Sequence, residues 1–191
     1  MTSVGTLADR IEDAQPSTGF VKRIPIPLQT IRDATGQNLT GSTTPIIELS
    51  SAAFRIRWAA SDSAAVNISI PVPGDYLDKR NDPDKSDHFK IILLVAMGGG
   101  TDAPTILADG VRHRAAETID ALDADASAAV SGTPLQEVEC DLSRQDIRSN
   151  DAVTINLTPG AHTTDALLLY GAWFEYRSGW TMADQAKRDA G

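Results

Sequence analysis

The segment Ala166–Arg177, which reads ALLLYGAWFEYR, constrains the fold of this chain more than any other stretch. Successive side chains of a strand point to opposite faces. The odd positions share one face: Leu167, Leu169, Gly171 and Trp173. The even positions 168–176 share the other, and both faces are apolar until Glu175. Because aromatic residues this dense favour a strand over a buried helix, we predict a central strand whose second face is covered by the fold or by another subunit.

Earlier segments read as shorter strands. The stretches 54–58 (FRIRW) and 66–70 (VNISI) alternate between apolar and polar residues, and the polar connection 60–63 predicts that they form an antiparallel hairpin. In the segment 20–31, Pro25 and Pro27 remove ladder donors, which predicts an edge strand or an extended crossing segment. Further strands are predicted at 45–49, 88–97, 135–142 and 152–157.

The segment 104–131 has a mixed pattern. It predicts strands at 104–108 and 111–119 followed by a loop rich in Ala, Asp and Ser, although residues 115–129 could also form a helix. An S-x-x-D pattern at 143–146 could start a single helical turn.

Regularly spaced strands separated by Gly and Pro turns are typical of sandwiches and barrels. We therefore predict an all-β fold, an antiparallel two-sheet β-sandwich of jelly-roll type, with an immunoglobulin-like sandwich as the alternative. Its domain organisation is an N-terminal arm at 1–20, the sandwich at 21–177 and a C-terminal tail at 178–191. The predicted core includes Trp58, Ile68, Leu93, Leu169 and Trp173.

The charge of the chain limits its partners. A net charge of −9 argues against nucleic acid as the main partner, since phosphate contacts need clustered Lys and Arg. The longest apolar run, Ile91–Met97, is far shorter than the roughly 20 residues of a membrane-spanning helix. Residues 1–20 lack the apolar core of a signal peptide, so we expect no membrane association and synthesis in the cytoplasm.

The sequence carries no recognisable catalytic, cofactor-binding or metal-binding signature. His88, His113 and His162 are far apart and form no H-x-H or H-x-x-x-H pair. Cys140 lies in an alternating segment and is expected to be a buried small hydrophobe. We therefore assign no catalytic, cofactor or metal residue. The sequence does not decide whether the loops 75–88 and 120–131 bind an ion or a ligand. It also does not decide whether two carboxylates converge as they do in a glycosidase.

The order of these features resembles structural proteins of tailed-bacteriophage virions. The similar elements are a loose arm, a Pro-interrupted entry strand (RIPIPL) and the ending DAVTINLTPGAHTTDALLLYGAWFEYR, which looks like the last hairpin of small jelly-roll capsid-associated proteins. The resemblance covers residues 20–177. It implies a capsid decoration or minor head protein that binds the major capsid protein or other virion proteins as a homo-oligomer, commonly a trimer.

Three functions therefore compete. The first is a non-enzymatic virion structural protein that stabilises the phage shell and attaches through residues 1–20. The second is a carbohydrate-binding or fibre adhesion module, which would need aromatic residues such as Trp58, Trp173 or Trp180 in a groove. The third is a small jelly-roll enzyme, which would need the histidines to converge. The first is the main prediction, with a virion location and no enzymatic activity.

Overall fold

The computed structural model describes residues 20–50, 53–77, 89–142 and 147–179. These residues form strands β1 (Phe20–Ile26), β2 (Arg32–Asp33), β3 (Ile46–Ser50), β4 (Ala53–Trp58), β5 (Val66–Pro71), β6 (Phe89–Met97), β7 (Ile106–His113), β8 (Asp120–Ala126), β9 (Gln136–Asp141), β10 (Ala152–Pro159) and β11 (Leu167–Ser178), with a short 3-10 helix at Leu28–Thr30. Within these four ranges there is no helix with the length and apolar character that crossing a bilayer requires.

The strands form two antiparallel sheets. The larger sheet has the order β3-β4-β11-β6-β9, and β1 pairs with the second half of β11. The smaller sheet has the order β2-β5-β10-β7-β8. From β4 onward, the chain fills the series β4-β11-β6-β9 in one sheet and β5-β10-β7-β8 in the other. This is the eight-stranded order of a jelly roll, and it confirms the predicted fold class.

The predicted hairpins are wrong. Strands β4 and β5 lie in different sheets, and so do β10 and β11. Each of these two connections therefore passes from one sheet to the other. Alternation cannot separate the two cases, because Ile56 on β4 and Ile68 on β5 point into the same core whether the strands pair or face each other. Pairing partners are instead set by distant segments, such as β6 for β11.

The interpretation of 104–131 is also wrong in its boundaries. Strand β7 runs unbroken through residues 106–113, and β8 occupies 120–126, where a loop was predicted. Strand β8 lies at the edge of the smaller sheet, and within it only Leu122 is buried. Because this edge strand buries one side chain, its sequence DALDADA shows almost no alternation of apolar and polar residues. Such a sequence is indistinguishable from that of a polar loop.

The central position of β11 is confirmed, but its predicted faces are not. Strand β11 pairs with β6 along one side and with β4 and β1 along the other. A β-bulge between Leu169 and Gly171 shifts the register. As a result Leu169 before the bulge and Phe174 after it both enter the core, whereas Trp173 points away from the core.

Four of the five predicted core residues are confirmed: Trp58, Ile68, Leu93 and Leu169 are each 2% exposed or less. Trp173 is the exception, since it is only half-buried. Cys140 is fully buried, as predicted, and its burial raises the pKa of the thiol to about 12.

The proline-containing entry segment forms β1, which pairs with β11 and places Pro25 opposite Trp173. This confirms the prediction of an edge strand, because Pro25 lacks an N–H and β1 pairs along one side. The predicted arm at 1–20, the helical turn at 143–146 and the tail at 178–191 lie largely or wholly outside the described residues.

Candidate functional site

The candidate site is the outer face of the larger sheet, the side that points away from the core. Leu168 on β11 and Ile92 and Ala96 on β6 point to this side, because their neighbours along each strand belong to the core cluster and they do not. They are nevertheless 7%, 1% and 3% exposed. These outward side chains are therefore covered by other parts of the chain, unlike those of a simple solvated sheet face.

Trp173 lies at the middle of the outer face, on the central strand. A Cβ atom placed on Gly171 would lie 2.8 Å from Cη2 of the indole, so the six-membered ring passes close over the glycine backbone. Gly171 sits at the bulge, opposite Leu94 of β6. The glycine lets a large aromatic side chain lie across the strand while part of it stays open to solvent.

Tyr170, Arg55 and Glu48 form a connected group beside this indole. Arg55 Nη1 donates a hydrogen bond of 3.0 Å to the Tyr170 hydroxyl, and its guanidinium carbon lies 5.8 Å from the ring centroid. Arg55 Nε donates to Glu48 Oε1 at 2.9 Å. That hydrogen bond lowers the pKa of Glu48 and outweighs the opposing effect of burial. The phenol is held by a charged pair that stays ionised at neutral pH.

A bidentate ion pair crosses the same face. Arg23 Nη1 and Nη2 donate to Glu137 Oε2 and Oε1 at 3.0 and 2.9 Å, and Arg23 Nε donates to Glu175. Arg23 is on β1 and Glu137 on β9, so the pair spans the two strands between them, β11 and β6. We call it the Arg23–Glu137 bridge. Its side chains remain 45% and 48% exposed, within reach of a ligand.

A further ion pair lies at the β6–β9 side of the face. Lys90 Nζ donates to Glu139 Oε1 at 2.9 Å, and this hydrogen bond raises the pKa of Lys90 against the effect of burial. The outer face therefore combines two aromatic side chains with carboxylates and cations that are already matched to one another.

The histidines singled out from the sequence do not come together. His113 pairs with Ala152 at the start of β10, whereas His162 follows Pro159 at the end of that strand. His162 is 2% exposed, and its Nδ1 and Nε2 lie 2.8 and 3.0 Å from the carbonyl oxygens of Gly160 and Ala59. It ties two loops together. His88 lies outside the described residues.

In the part of the chain that the structure describes, no three His, Cys, Asp or Glu side chains are grouped so that they could hold a metal ion. The acidic segment 120–126, which left ion binding open, is strand β8. Trp58 lies in the core, where its Nε1 donates to Ala64 O at 2.8 Å, and Trp180 is outside the described residues.

Sequence reasoning missed the outer-face role of Trp173. The signal that could have found it was Gly171, since an isolated glycine inside a strand often marks a bulge. Allowing for the bulge moves Trp173 to the face opposite Leu169, on which Glu175 also lies. The Arg23–Glu137 bridge left no such signal, because its partners are 114 positions apart.

Comparisons with known proteins complete the description. No family model and no curated protein matches the chain. Among solved structures, the family 30 carbohydrate-binding module of a cellulosomal cellulase of Clostridium thermocellum is 9% identical, with a TM-score of 0.44 over 81% of this chain and 96% of that one.

Two other solved structures are similar in the same degree. Xylanase10C from Cellvibrio japonicus in complex with xylopentaose is 11% identical, with a TM-score of 0.46 over 80% of this chain and 28% of that one. The TmCBM61 structure in complex with beta-1,4-galactotriose is 6% identical, with a TM-score of 0.37 over 86% and 97%. With TM-scores below 0.5 these likenesses carry no argument, so the function has to be inferred from the geometry of the outer face.

Proposed function

We propose that this protein is a non-enzymatic carbohydrate-binding module that holds a polysaccharide on the outer face of its larger sheet. The observation that carries the proposal is the partly exposed indole of Trp173, which lies across the central strand over Gly171. A buried aromatic residue would only stabilise the core, and a free surface tryptophan would lack a fixed orientation. Trp173 has both support and access.

The neighbouring groups suit a sugar. A pyranose ring has an apolar face of C–H groups that packs on an aromatic ring, and hydroxyls around its edge that donate and accept hydrogen bonds. Trp173 and Tyr170 can supply the packing surface. Arg23 and Glu137 on one side, and Arg55 on the other, can supply donors and acceptors. A few placed polar groups beside an apolar platform are typical of ligand sites.

The carboxylates near Trp173 support binding over hydrolysis. A glycosidase pairs a protonated acid with a second carboxylate that acts as base or nucleophile. Glu137 and Glu175 instead both accept hydrogen bonds from the same guanidinium of Arg23, so both carboxylates are already engaged by one cation of the protein. We therefore propose that they orient a ligand.

Affinity gel electrophoresis tests the proposal with a panel of soluble polysaccharides: xylan, galactan, mannan, β-glucan, alginate and polygalacturonate. At least one should retard the wild-type protein, and Trp173→Ala should weaken that binding by about fivefold or more, since aromatic packing contributes on the order of 1 kcal/mol or more. Leu107→Ala is the matched control, because Leu107 is 38% exposed on the smaller sheet. Retardation by no member of the panel, or equal retardation of Trp173→Ala, would contradict the proposal.

A second candidate keeps the resemblance to phage virion proteins: a homo-oligomer attached to the major capsid protein. The observation in its favour is an exposed apolar pair at the turn end of the β3–β4 hairpin. Leu49 and Phe54 are opposite each other in register and are 71% and 37% exposed. Exposed apolar side chains in contact support a protein interface.

Sedimentation velocity and immunogold labelling of virions test this second candidate. The wild-type protein should sediment as an oligomer, the double variant Leu49→Ser/Phe54→Ser should sediment as a monomer, and label should decorate virions. A wild-type monomer that is absent from virions would exclude this role. Deleting residues 1–20 should weaken attachment to the shell and leave the fold intact.

A further inference from the structure

We infer that the ligand is an uncharged polysaccharide and that the Arg23–Glu137 bridge sets this preference. The inference rests on the proposed carbohydrate-binding function and adds the substrate class. The observation behind it is the pairing of charges on the outer face, which is independent of the aromatic side chains there.

The cations that flank the platform already have carboxylate partners. Arg23 bonds Glu137 and Glu175, Arg55 bonds Glu48, and Lys90 bonds Glu139. A uronic-acid or sulfated sugar would have to break one of these pairs to gain a cation of its own, and would leave a protein carboxylate beside its own charge. The net charge of −9 adds a long-range repulsion of polyanions.

The Arg23–Glu137 bridge is the pair best placed to discriminate. Glu137 accepts one N–H from each terminal nitrogen of Arg23 and Glu175 accepts the Nε–H, so an incoming carboxylate would share this guanidinium with two protein carboxylates and meet their negative charge. A sugar hydroxyl does not need to break the pair. It can donate to a remaining lone pair of Glu137 while the bidentate contact stays in place, because a carboxylate has about four acceptor positions.

The experiment measures the ratio of the dissociation constants of a polyuronate and a neutral polymer, with polygalacturonate and alginate against xylan, galactan, mannan and β-glucan. Wild-type protein should bind a neutral polymer and should bind each polyuronate measurably but more weakly, by about tenfold or more. Glu137→Gln should lower the ratio by about tenfold, since it leaves Arg23 one carboxylate short. Arg23→Gln should raise the ratio, because it leaves Glu137 and Glu175 without that guanidinium.

Asp123→Asn is the matched control, since it removes one negative charge from an exposed position on β8 of the smaller sheet. It should leave the ratio at the wild-type value, which separates the bridge from the effect of net charge. Thermal melts should show that all three variants are folded, and Arg23→Gln tests the bridge independently if Glu137→Gln is not.

The outcomes separate this inference from the function on which it rests. Wild-type protein that binds a polyuronate as tightly as any neutral polymer would overturn the inference and leave carbohydrate binding intact. Binding to no polymer at all would overturn carbohydrate binding itself. Equal ratios for Glu137→Gln and Asp123→Asn would show that the bridge does not set the preference.

Discussion

The outer faces of the two sheets are built differently. On the smaller sheet, buried and partly exposed positions alternate along β5, β7 and β10, and the outward positions carry mainly short polar side chains. These include Asn67, Ser69, Asp109, Thr154 and Asn156. On the larger sheet, β6 and β11 are buried on both sides, and the outward positions carry Trp173, Tyr170 and a network of ion pairs.

The difference shows that both faces of a strand can be covered within one chain. Ile92 and Leu168 are buried within the single chain, although neither belongs to the core between the sheets. From the sequence we predicted that the fold itself or another subunit covers the second face of β11. Among the described residues, several outward side chains of this sheet are large, and the Arg23–Glu137 bridge lies on the same face.

The largest expected loss of stability distinguishes two glycines that lie at β-bulges, Gly110 of β7 and Gly171 of β11. A Cβ on Gly110 of β7 would lie 2.0 Å from the Thr154 carbonyl oxygen, and its φ is +156°, so Gly110→Ala should destabilise the protein by about 3 kcal/mol. Gly171→Ala meets only the end of the Trp173 side chain, which can move, and should cost about 1 kcal/mol or less. Urea unfolding measures both.

Gly171→Ala should also weaken polysaccharide binding, because the displaced indole leaves its place on the strand. A similar decrease in the free energy of unfolding for the two variants would contradict this difference. At Gly110 the new methyl group clashes with backbone, whereas at Gly171 it meets a side-chain ring that can move.

The sequence predicted the strand positions of the larger sheet better than those of the smaller sheet, in which β7 has other bounds than predicted and β8 replaces a predicted loop. Alternation at 66–70 and 152–157 marked β5 and β10 correctly, because each buries one face only. The same rule failed at Trp173, where the bulge at Gly171 reverses the alternation within one strand. Pairing across sheets and the Arg23–Glu137 bridge depend on residues far apart in the chain, which local pattern does not encode.

The second prediction concerns Asp75, which holds β1 on the larger sheet. Its carboxylate accepts hydrogen bonds from Lys22 at 2.6 Å, Ser178 at 2.8 Å and Tyr176 at 3.0 Å. Burial alone would raise the pKa of Asp75, but these contacts outweigh it and lower the pKa. Asp75→Asn should therefore cost about 1–3 kcal/mol at pH 7.

The pH dependence follows from the direction of the Asp75 shift. A lowered pKa stabilises the fold above the ordinary Asp value of about 3.9, and this contribution is lost as the pH falls through the lower folded value. Unfolding titrations from pH 7 to 2 should show a smaller acid loss for Asp75→Asn than for wild type. At pH 7, amide hydrogen exchange in Asp75→Asn should be faster than in wild type in β1 and less affected in β10. An equal increase in both strands would contradict the local role of Asp75.

The smallest expected stability effects come from one outward side chain on each sheet, the partly buried Trp173 and the exposed Leu107. Trp173→Ala should destabilise by about 1–2 kcal/mol, less than the roughly 3–5 kcal/mol of a fully buried tryptophan. Leu107→Ala, on the smaller sheet, should cost under about 1 kcal/mol. Thermal melts check both values. A loss above about 3 kcal/mol for Trp173→Ala would make it a core residue and remove it from the proposed platform.

The most direct test of the central claim is a backbone-amide NMR titration with an oligosaccharide of the neutral polymer that binds most tightly. We expect the largest chemical-shift changes at Tyr170, Trp173 and Glu175 and at Arg23 beside them. Changes centred on Asn67, Thr154 and Asn156 would place the ligand on the smaller sheet. That result would contradict the assignment of the outer face of the larger sheet as the binding site.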